Sequence, residues 1–132
     1  MSYTKFLLNL NNINYDLELK NNLNKVIAFR LTNISNGKQY YQYLNNTCIN
    51  QLLGCNVETL MKKLCISMAS DTNRNHVDFD FDDGSRVRMS TFFVLNVDNV
   101  DIDRSMILTL NKVKTENVDF VNKLFDNTLT LL

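Results

Sequence analysis

The sequence predicts an α+β fold: a small antiparallel β-sandwich or barrel-like head with a helix-turn-helix insert, closed by a C-terminal helix that starts a coiled-coil stalk. Short segments with a period of two predict the sheet, while helical spacing between about residues 47 and 69 and again after Asn117 predicts the helices. The 132 residues, 45% of them hydrophobic, suffice for one core. We therefore expect a head at 1–116 and the start of a stalk helix at 117–132.

Charge and cysteine content narrow the class of protein. Fourteen basic and 14 acidic residues leave no net charge, so we expect no membrane association and no strong direct binding of nucleic acid by the head. Three cysteines, without a signal peptide or a long apolar run, favour reduced thiols and an intracellular protein.

Four strands are expected before the insert. They are Tyr3 to Leu10, the segment through Tyr15, Leu17 and Leu19, Lys25 to Asn33, and Lys38 to Leu44. Asn36 and Gly37 favour a two-residue hairpin turn because both tolerate positive φ. That turn would place Arg30 opposite Tyr43, where a cation–π pair and two independent surface side chains are both open interpretations.

The insert is expected to contain two helices. Thr47 would cap a short helix, Cys48 to Leu53, that Gly54 ends, and Asn56 would cap a longer one. The apolar residues at helical spacing in the second helix are Val57, Leu60, Met61, Leu64 and Met68. Lys62 and Lys63 lie outside this stripe and form a small basic patch, which we interpret mainly as a solvated face.

In the hairpin that follows the insert, the pairing of charged residues predicts the length of the turn. A three-residue loop, Asp83-Gly84-Ser85, puts aspartates opposite arginines on one face and apolar pairs on the other, whereas a two-residue turn mixes them. The predicted pairs are Asp82 with Arg86, Asp80 with Arg88, Phe81 with Val87, and Phe79 with Met89. The alternating aspartates are thus explained without a metal ion, and we expect no metal site.

The last third of the chain should complete the sheet and begin the stalk. Thr91 to Leu95 would extend the hairpin, Asn96 to Asp103 would be a polar connection, and Arg104 to Leu110 the last strand. Asn117 would cap the closing helix. The apolar positions that we expect to pair with a second copy of this helix are Val121, Leu124, Phe125, Leu129 and Leu132.

No constellation of catalytic residues is visible. The sequence has no glycine-rich phosphate loop and no Cys-x-x-Cys motif, and its single histidine, His76, suits a surface position. We expect no enzyme, no catalytic residue and no cofactor. The alternative of another class is a small ligand-binding or thiol-dependent α+β domain, in which Cys55 or Cys65 would be the nucleophile.

The order of elements resembles the head domains of one superfamily. It contains the X-ray cross-complementing scaffold that partners DNA ligase four in end joining, its XLF and PAXX paralogues, and the centriolar cartwheel protein spindle assembly abnormal six. Met106 to Leu132 (MILTLNKVKTENVDFVNKLFDNTLTLL) is similar to the last head strand and first stalk helix of the end-joining scaffold. Val26 to Asn33 fits the same head, while Arg30 to Thr32, the strand YYQYL and Leu95 to Val97 fit the cartwheel protein.

The resemblance implies a homodimeric scaffold that binds proteins, with end joining in the nucleus as the favoured role. The alternative is a centriole or basal-body scaffold, centrosomal or cytoplasmic, that assembles through its heads. A ligase would bind only a stalk beyond Leu132, so the chain is expected to be part of a longer protein. The residues implied in contacts with a paralogous or identical head are Val97, Val100, Ile102, Lys62 and Lys63.

This chain departs from both patterns. The end-joining scaffold presents a lysine just before its second insert helix, where this chain has Cys55 or Asn56. The cartwheel head inserts a bulky aromatic residue ahead of its last strand, where this chain has Val100 or Ile102. Both departures put the corresponding head contact in doubt.

Overall fold

A computed structural model describes residues 2–126, and the side chain of Leu124 lies outside this description. In this part of the chain seven strands and three helices follow one another. They are β1 (Ser2–Leu10), β2 (Ile13–Asn22), β3 (Val26–Asn33), β4 (Gln39–Asn45), α1 (Asn46–Leu53), α2 (Val57–Ser70), β5 (His76–Phe81), β6 (Arg86–Val97), β7 (Val100–Lys112) and α3 (Val118–Asp126).

The strands form one antiparallel sheet in the order β1-β2-β3-β4-β7-β6-β5, which curls into a nearly closed barrel. The predicted α+β class with a barrel-like head is confirmed. The join between β4 and β7 is short, because only Tyr40 with Lys112 and Tyr41 with Asn111 are paired. Just beyond it, the Gln42 side chain donates to the main-chain carbonyl of Thr109 at 3.2 Å.

Tight turns in this sheet are built from asparagine and aspartate. Asn11 and Asn12 join β1 to β2 with φ of 53° and 66°, and Asp98 and Asn99 join β6 to β7 with φ of 52° and 66°. Both residue types tolerate this left-handed region. The predicted polar connection from Asn96 to Asp103 is therefore wrong, since both strands continue to the turn.

The turn predicted at Asn36-Gly37 is also wrong. The Asn33 side chain accepts hydrogen bonds from the main-chain N–H groups of Ser35 and Asn36 and organises a wider loop. The register shifts by two residues, so that Arg30 lies opposite Tyr41 instead of Tyr43. A shift of two is one full strand period, so each side chain stays on its predicted face.

The hairpin of β5 and β6 has the predicted register. Asp80 pairs with Arg88 across the strands, and their side chains form an ion pair of 2.8 Å. Asp82 and Arg86 flank the loop with an ion pair of 2.6 Å. Gly84 adopts a φ of +88°, as a three-residue loop requires.

The main core fills the inner face of the sheet, where α1 and α2 cover it. Asn56 caps α2 by accepting from the N–H of Thr59, as predicted. α1 begins one residue before Thr47 and is capped by Asn45, so the predicted Thr47 cap is wrong. The larger side chains buried here include Leu17, Leu19, Phe29, Leu31, Ile49, Leu60, Leu64 and Phe93.

The closing helix starts where the sequence predicts. One 3₁₀ turn, Thr115–Asn117, leads directly into α3 at Val118. Leu129 and Leu132 lie outside the described residues, so the division into head and stalk stays a prediction. Within residues 2–126, no helix is both long enough and apolar enough to span a membrane.

Candidate interaction surfaces

The first surface lies on the outer face of β2, β3 and β4, where α3 packs through one aromatic ring. Phe125 is only 1% exposed, yet it is not part of the main core cluster. The strands contribute Lys20, Arg30 and Tyr41, whose side chains contact the Phe125 ring. We call these three residues and Glu18 the Phe125 clamp. Period-two alternation puts these side chains opposite the inner core residues of the same strands.

Arg30 is the centre of the Phe125 clamp. Its guanidinium carbon lies 4.2 Å from the centroid of the Phe125 ring, and its Nη1 donates to Asn122 Oδ1 at 2.9 Å. Its Nε and Nη2 each donate to a carboxylate oxygen of Glu18 at 3.0 Å. This fork-to-fork pairing fixes the guanidinium plane against the ring, which is the geometry that strengthens both contacts.

Lys20 holds the main chain of α3. It is 9% exposed, and its Nζ donates to the carbonyl oxygens of Phe125 at 2.9 Å and of Asp126 at 2.6 Å. A cation at carbonyls in the last turn of a helix is favoured by the helix dipole. Arg30 therefore holds the side chain of Phe125, while Lys20 holds the main chain.

Glu18 supplies the negative charge of the clamp. Burial raises the pKa of its carboxyl, but hydrogen bonds from Arg30 and Tyr3 and the charges of Arg30 and Lys5 outweigh burial, so the pKa lies below its ordinary value. The Tyr3 hydroxyl donates to Glu18 at 2.6 Å. Burial, this hydrogen bond and the carboxylate charge raise the pKa of Tyr3 to about 12. Glu18 is thus held ionised beside Arg30 at neutral pH.

The clamp corrects one predicted stalk residue. Phe125 was expected to pair with a second copy, but its ring is covered by its own head. Val121 is half-buried beside Tyr41 and Val113 and stays a prediction. The other predicted stalk positions are the side chains of Leu124, Leu129 and Leu132, which lie outside the described residues.

The second surface is the tip of the β6–β7 hairpin, formed by Val97, Val100 and Ile102. Val97 is 46% and Val100 60% exposed, whereas Ile102 is half-buried opposite Leu95. Within residues 2–126, the strand segments 93–97 and 100–104 pair only with each other. The predicted head-contact residues on these strands therefore lie together near the turn of the β6–β7 hairpin.

Lys62 and Lys63, the other predicted head-contact residues, lie on α2. Lys62 is exposed and forms an ion pair of 3.4 Å with Glu58. Lys63 is half-buried and lies near Cys55. The structure does not place either lysine at the hairpin tip, so their joint role in a head contact stays a prediction.

Cys55, one of the two candidate nucleophiles, lacks the setting of an activated thiol. Cys55 is buried, and burial raises the pKa of its thiol, although the charges of Arg104 and Lys63 act in the opposite direction. An activated cysteine needs the opposite shift. Cys65 is half-buried. His76 stacks on Phe92 at 4.4 Å, and its Nε2 lies 3.4 Å from Asp78.

Among the described residues, no group of three or more histidine, cysteine, aspartate or glutamate side chains is arranged to hold a metal ion. Asp80 and Asp82 face arginines instead.

Sequence reasoning missed the Phe125 clamp. One signal was available in the alternation of side chains along the strands. Because Leu17 and Leu19 face inward, Glu18 and Lys20 lie on the outer face. Arg30 lies on the outer face as well, because its neighbour Leu31 faces inward. The opposite charges of Glu18 and Arg30 on neighbouring strands would have suggested their pairing. The meeting of this pair with Phe125, 95 positions further along, has no local signal.

Comparisons with known proteins support the fold. No protein-family model matches the chain, and no curated protein matches it by sequence. Among solved structures, the crystal structure of the head domain of human CCDC61 superposes with a TM-score of 0.61 at 8% identity. The match covers 86% of this chain and 98% of that chain. At this level of identity the similarity shows the fold alone.

Proposed function

We propose that this chain is the non-enzymatic head domain of a scaffold protein that joins copies of itself. The observation that carries the proposal is the match to nearly the full length of another head domain. The exposed valines of the hairpin tip support it, because exposed apolar side chains that lie together are typical of a surface that a partner covers. Homodimerisation through the C-terminal helix, from Val121 onward, is the second part of the proposal.

Self-association of the full chain tests this function. We expect sedimentation velocity between about 1 µM and 1 mM to show reversible dimers, because pairing through a single helix and a small tip gives modest affinities. A monomer over the whole range would overturn the self-joining scaffold. The tip is tested by Val100→Asp, with Ile107→Asp as an equally exposed control on β7.

The pathway is a finer proposal. End joining of DNA breaks is the role favoured by the sequence resemblance, and a centriolar or basal-body scaffold is the alternative. Electron microscopy of the assemblies that the chain forms separates them: closed rings formed through the heads favour the centriolar role, whereas dimers or open filaments favour end joining. Co-purification with a DNA ligase would support end joining independently.

Thiol labelling tests the alternative of a thiol-dependent domain. Because burial raises the pKa of Cys55, we expect it to react with iodoacetamide at neutral pH more slowly than an unfolded control peptide. Fast labelling confined to Cys55 would contradict the scaffold proposal and favour the alternative. Urea-unfolded protein provides the control for the intrinsic reactivity of all three cysteines.

A further inference from the structure

The first strand of the sheet has a free edge. Within residues 2–126, β1 pairs only with β2, in a register that is continuous from Ser2 to Leu10 without a bulge. The turn that joins the two strands consists of Asn11 and Asn12, both at positive φ. In a hairpin with such a two-residue turn, the flanking residues Leu10 and Ile13 exchange hydrogen bonds. Hydrogen-bonded pairs then alternate along the two strands.

This alternation identifies the main-chain groups on the free edge. Counted back from Leu10, every second residue of β1 bonds to β2, so the N–H and C=O groups of the residues between them point away from β2. These residues are Tyr3, Lys5, Leu7 and Asn9, and all of them are exposed. Within residues 2–126, these groups have no main-chain partner. An accessible row of such groups is a template for one more strand.

The edge of β1 lacks the features that usually protect a sheet. It is nine residues long, and it contains no proline and, besides Lys5, no charged residue. The other edge strand, β5, is six residues long and carries the exposed Asp78 and Asp80. Short length and charge discourage the pairing of an edge with another chain. Of the two edges, β1 is therefore the one open to a partner strand.

The inner face of the sheet is incompletely covered along β1. Phe6, Leu8 and Leu10 pack against the core but stay half-buried, whereas Leu17 and Leu31 on the neighbouring strands are 1% and 0% exposed. The inward side chains of β5 are half-buried as well. Apolar side chains at every second position of one more strand would complete this layer, because alternate residues of a strand share a face.

The directions of the strands explain why the two edges do not pair. Every neighbouring pair in the seven-stranded sheet is antiparallel, so β1 and β5 run in the same direction. An antiparallel ladder cannot join them directly, whereas one added strand is antiparallel to both. Because the barrel is nearly closed, the gap between β1 and β5, which we call the seam, admits a single strand and not the whole sheet of a second copy.

We propose that β1 binds an extended segment of a partner protein, which lies in the seam and runs antiparallel to β1. The segment carries apolar side chains at every second position, beside Phe6 and Leu8, and polar side chains between them. Its main chain exchanges hydrogen bonds with Lys5 and Leu7. The inference goes beyond the proposed self-association, because it gives the head a surface for a different protein.

The probe is a synthetic peptide with the sequence of β2, INYDLELKNN. Its side chains match those of β1 in an antiparallel register, and its apolar residues Tyr15, Leu17 and Leu19 alternate with polar ones. We expect the fluorescence anisotropy of the labelled peptide to show saturable binding to the full chain with a Kd below about 1 mM. The absence of binding at this concentration would overturn the proposal.

A substitution on the free edge tests where the peptide binds. The N–H of Leu7 points away from β2, so Leu7→Pro removes it without breaking the ladder between β1 and β2. We expect Leu7→Pro to raise the peptide Kd at least about ten-fold, because a hydrogen bond is lost and the ring hinders approach. The matched control Leu7→Ala keeps the N–H and should leave Kd within about two-fold. Circular dichroism verifies that both variants stay folded.

Backbone N-methylation of the peptide tests the same contact in the unaltered protein. In the matching register, Asp16 and Glu18 of the peptide lie opposite the residues with free groups. Methylation of both nitrogens should raise Kd at least about ten-fold, since two hydrogen bonds are lost. The control is methylation at Asn22, which lies beyond the paired register. If the doubly methylated peptide binds as well as the parent peptide, it pairs elsewhere or replaces β2, and the proposal is overturned.

Sedimentation velocity separates this inference from the proposed function. We expect Leu7→Pro to associate with itself as the parent chain does, although it no longer binds the peptide. If Leu7→Pro abolishes self-association, a second copy occupies the edge and the proposed occupant is overturned. If the parent chain is monomeric but binds the peptide, the edge contact stands and the self-joining scaffold is overturned.

Discussion

The two faces of the sheet are covered by helices in opposite ways. On the inner face, α1 and α2 bury a broad apolar cluster that includes Phe29 and Leu60. On the outer face, α3 is held through Phe125 by a few directional contacts with Arg30 and Lys20. Broad packing resists local opening, whereas a few polar contacts can be lost as a unit. We therefore expect α3 to detach from the sheet without unfolding of the inner core.

The largest effect is expected on the inner face. Phe29 is fully buried in the main core, so Phe29→Ala should lower the free energy of unfolding by about 3–5 kcal/mol. Urea denaturation followed by circular dichroism measures it. If Phe29→Ala detached α3 and left the sheet folded, this result would contradict the proposed difference between the two faces of the sheet.

Arg30→Met should have the next largest effect. It removes the partner of the nearly buried Glu18, the cation–π contact with Phe125 and the hydrogen bond to Asn122, at a cost of about 2–3 kcal/mol. We expect hydrogen exchange to accelerate first in α3, while amides of β3 stay protected. Equal acceleration in both elements would show that the two faces are not separable. Arg30→Lys is the matched control that keeps the charge without the bidentate fork.

Lys20→Met should cost less. The substitution keeps much of the apolar stem and removes the bonds to the carbonyls of Phe125 and Asp126, each a net contribution of about 1 kcal/mol. Hydrogen exchange should show faster opening of the last turn of α3 than in the parent chain. Lys5→Met, which removes an exposed lysine paired with Asp16, is the control. Identical protection in both variants would remove Lys20 from the clamp.

Acid should weaken the outer face through Glu18. Its pKa is lower in the folded chain than the ordinary value of 4.5, so its contribution is present above pH 4.5 and disappears as pH falls through the folded pKa. The stability difference between the parent chain and Glu18→Gln should therefore shrink below pH 4.5. Urea titrations over a pH series measure it. A difference that stays constant down to about pH 2 would exclude ionised Glu18 as the source.

The sequence correctly predicted those features of the fold that nearby side chains determine. The register of β5 with β6 follows from charge pairing, and the start of α2 follows from Asn56. The prediction failed at Asn33, where a side chain widened a loop, and at Asp98-Asn99, a turn formed without glycine. The Phe125 clamp depends on residues distant in sequence, which no local pattern specifies.

The two-pair join of β4 with β7 bears on how the chain folds. Strands β1 to β4 and strands β5 to β7 are each made from neighbouring hairpins, whereas Tyr40 and Lys112 meet across about seventy intervening residues. Contacts between nearby residues form faster than those that close a long loop. Each half of the sheet should therefore assemble by itself, with union of the halves as the late event.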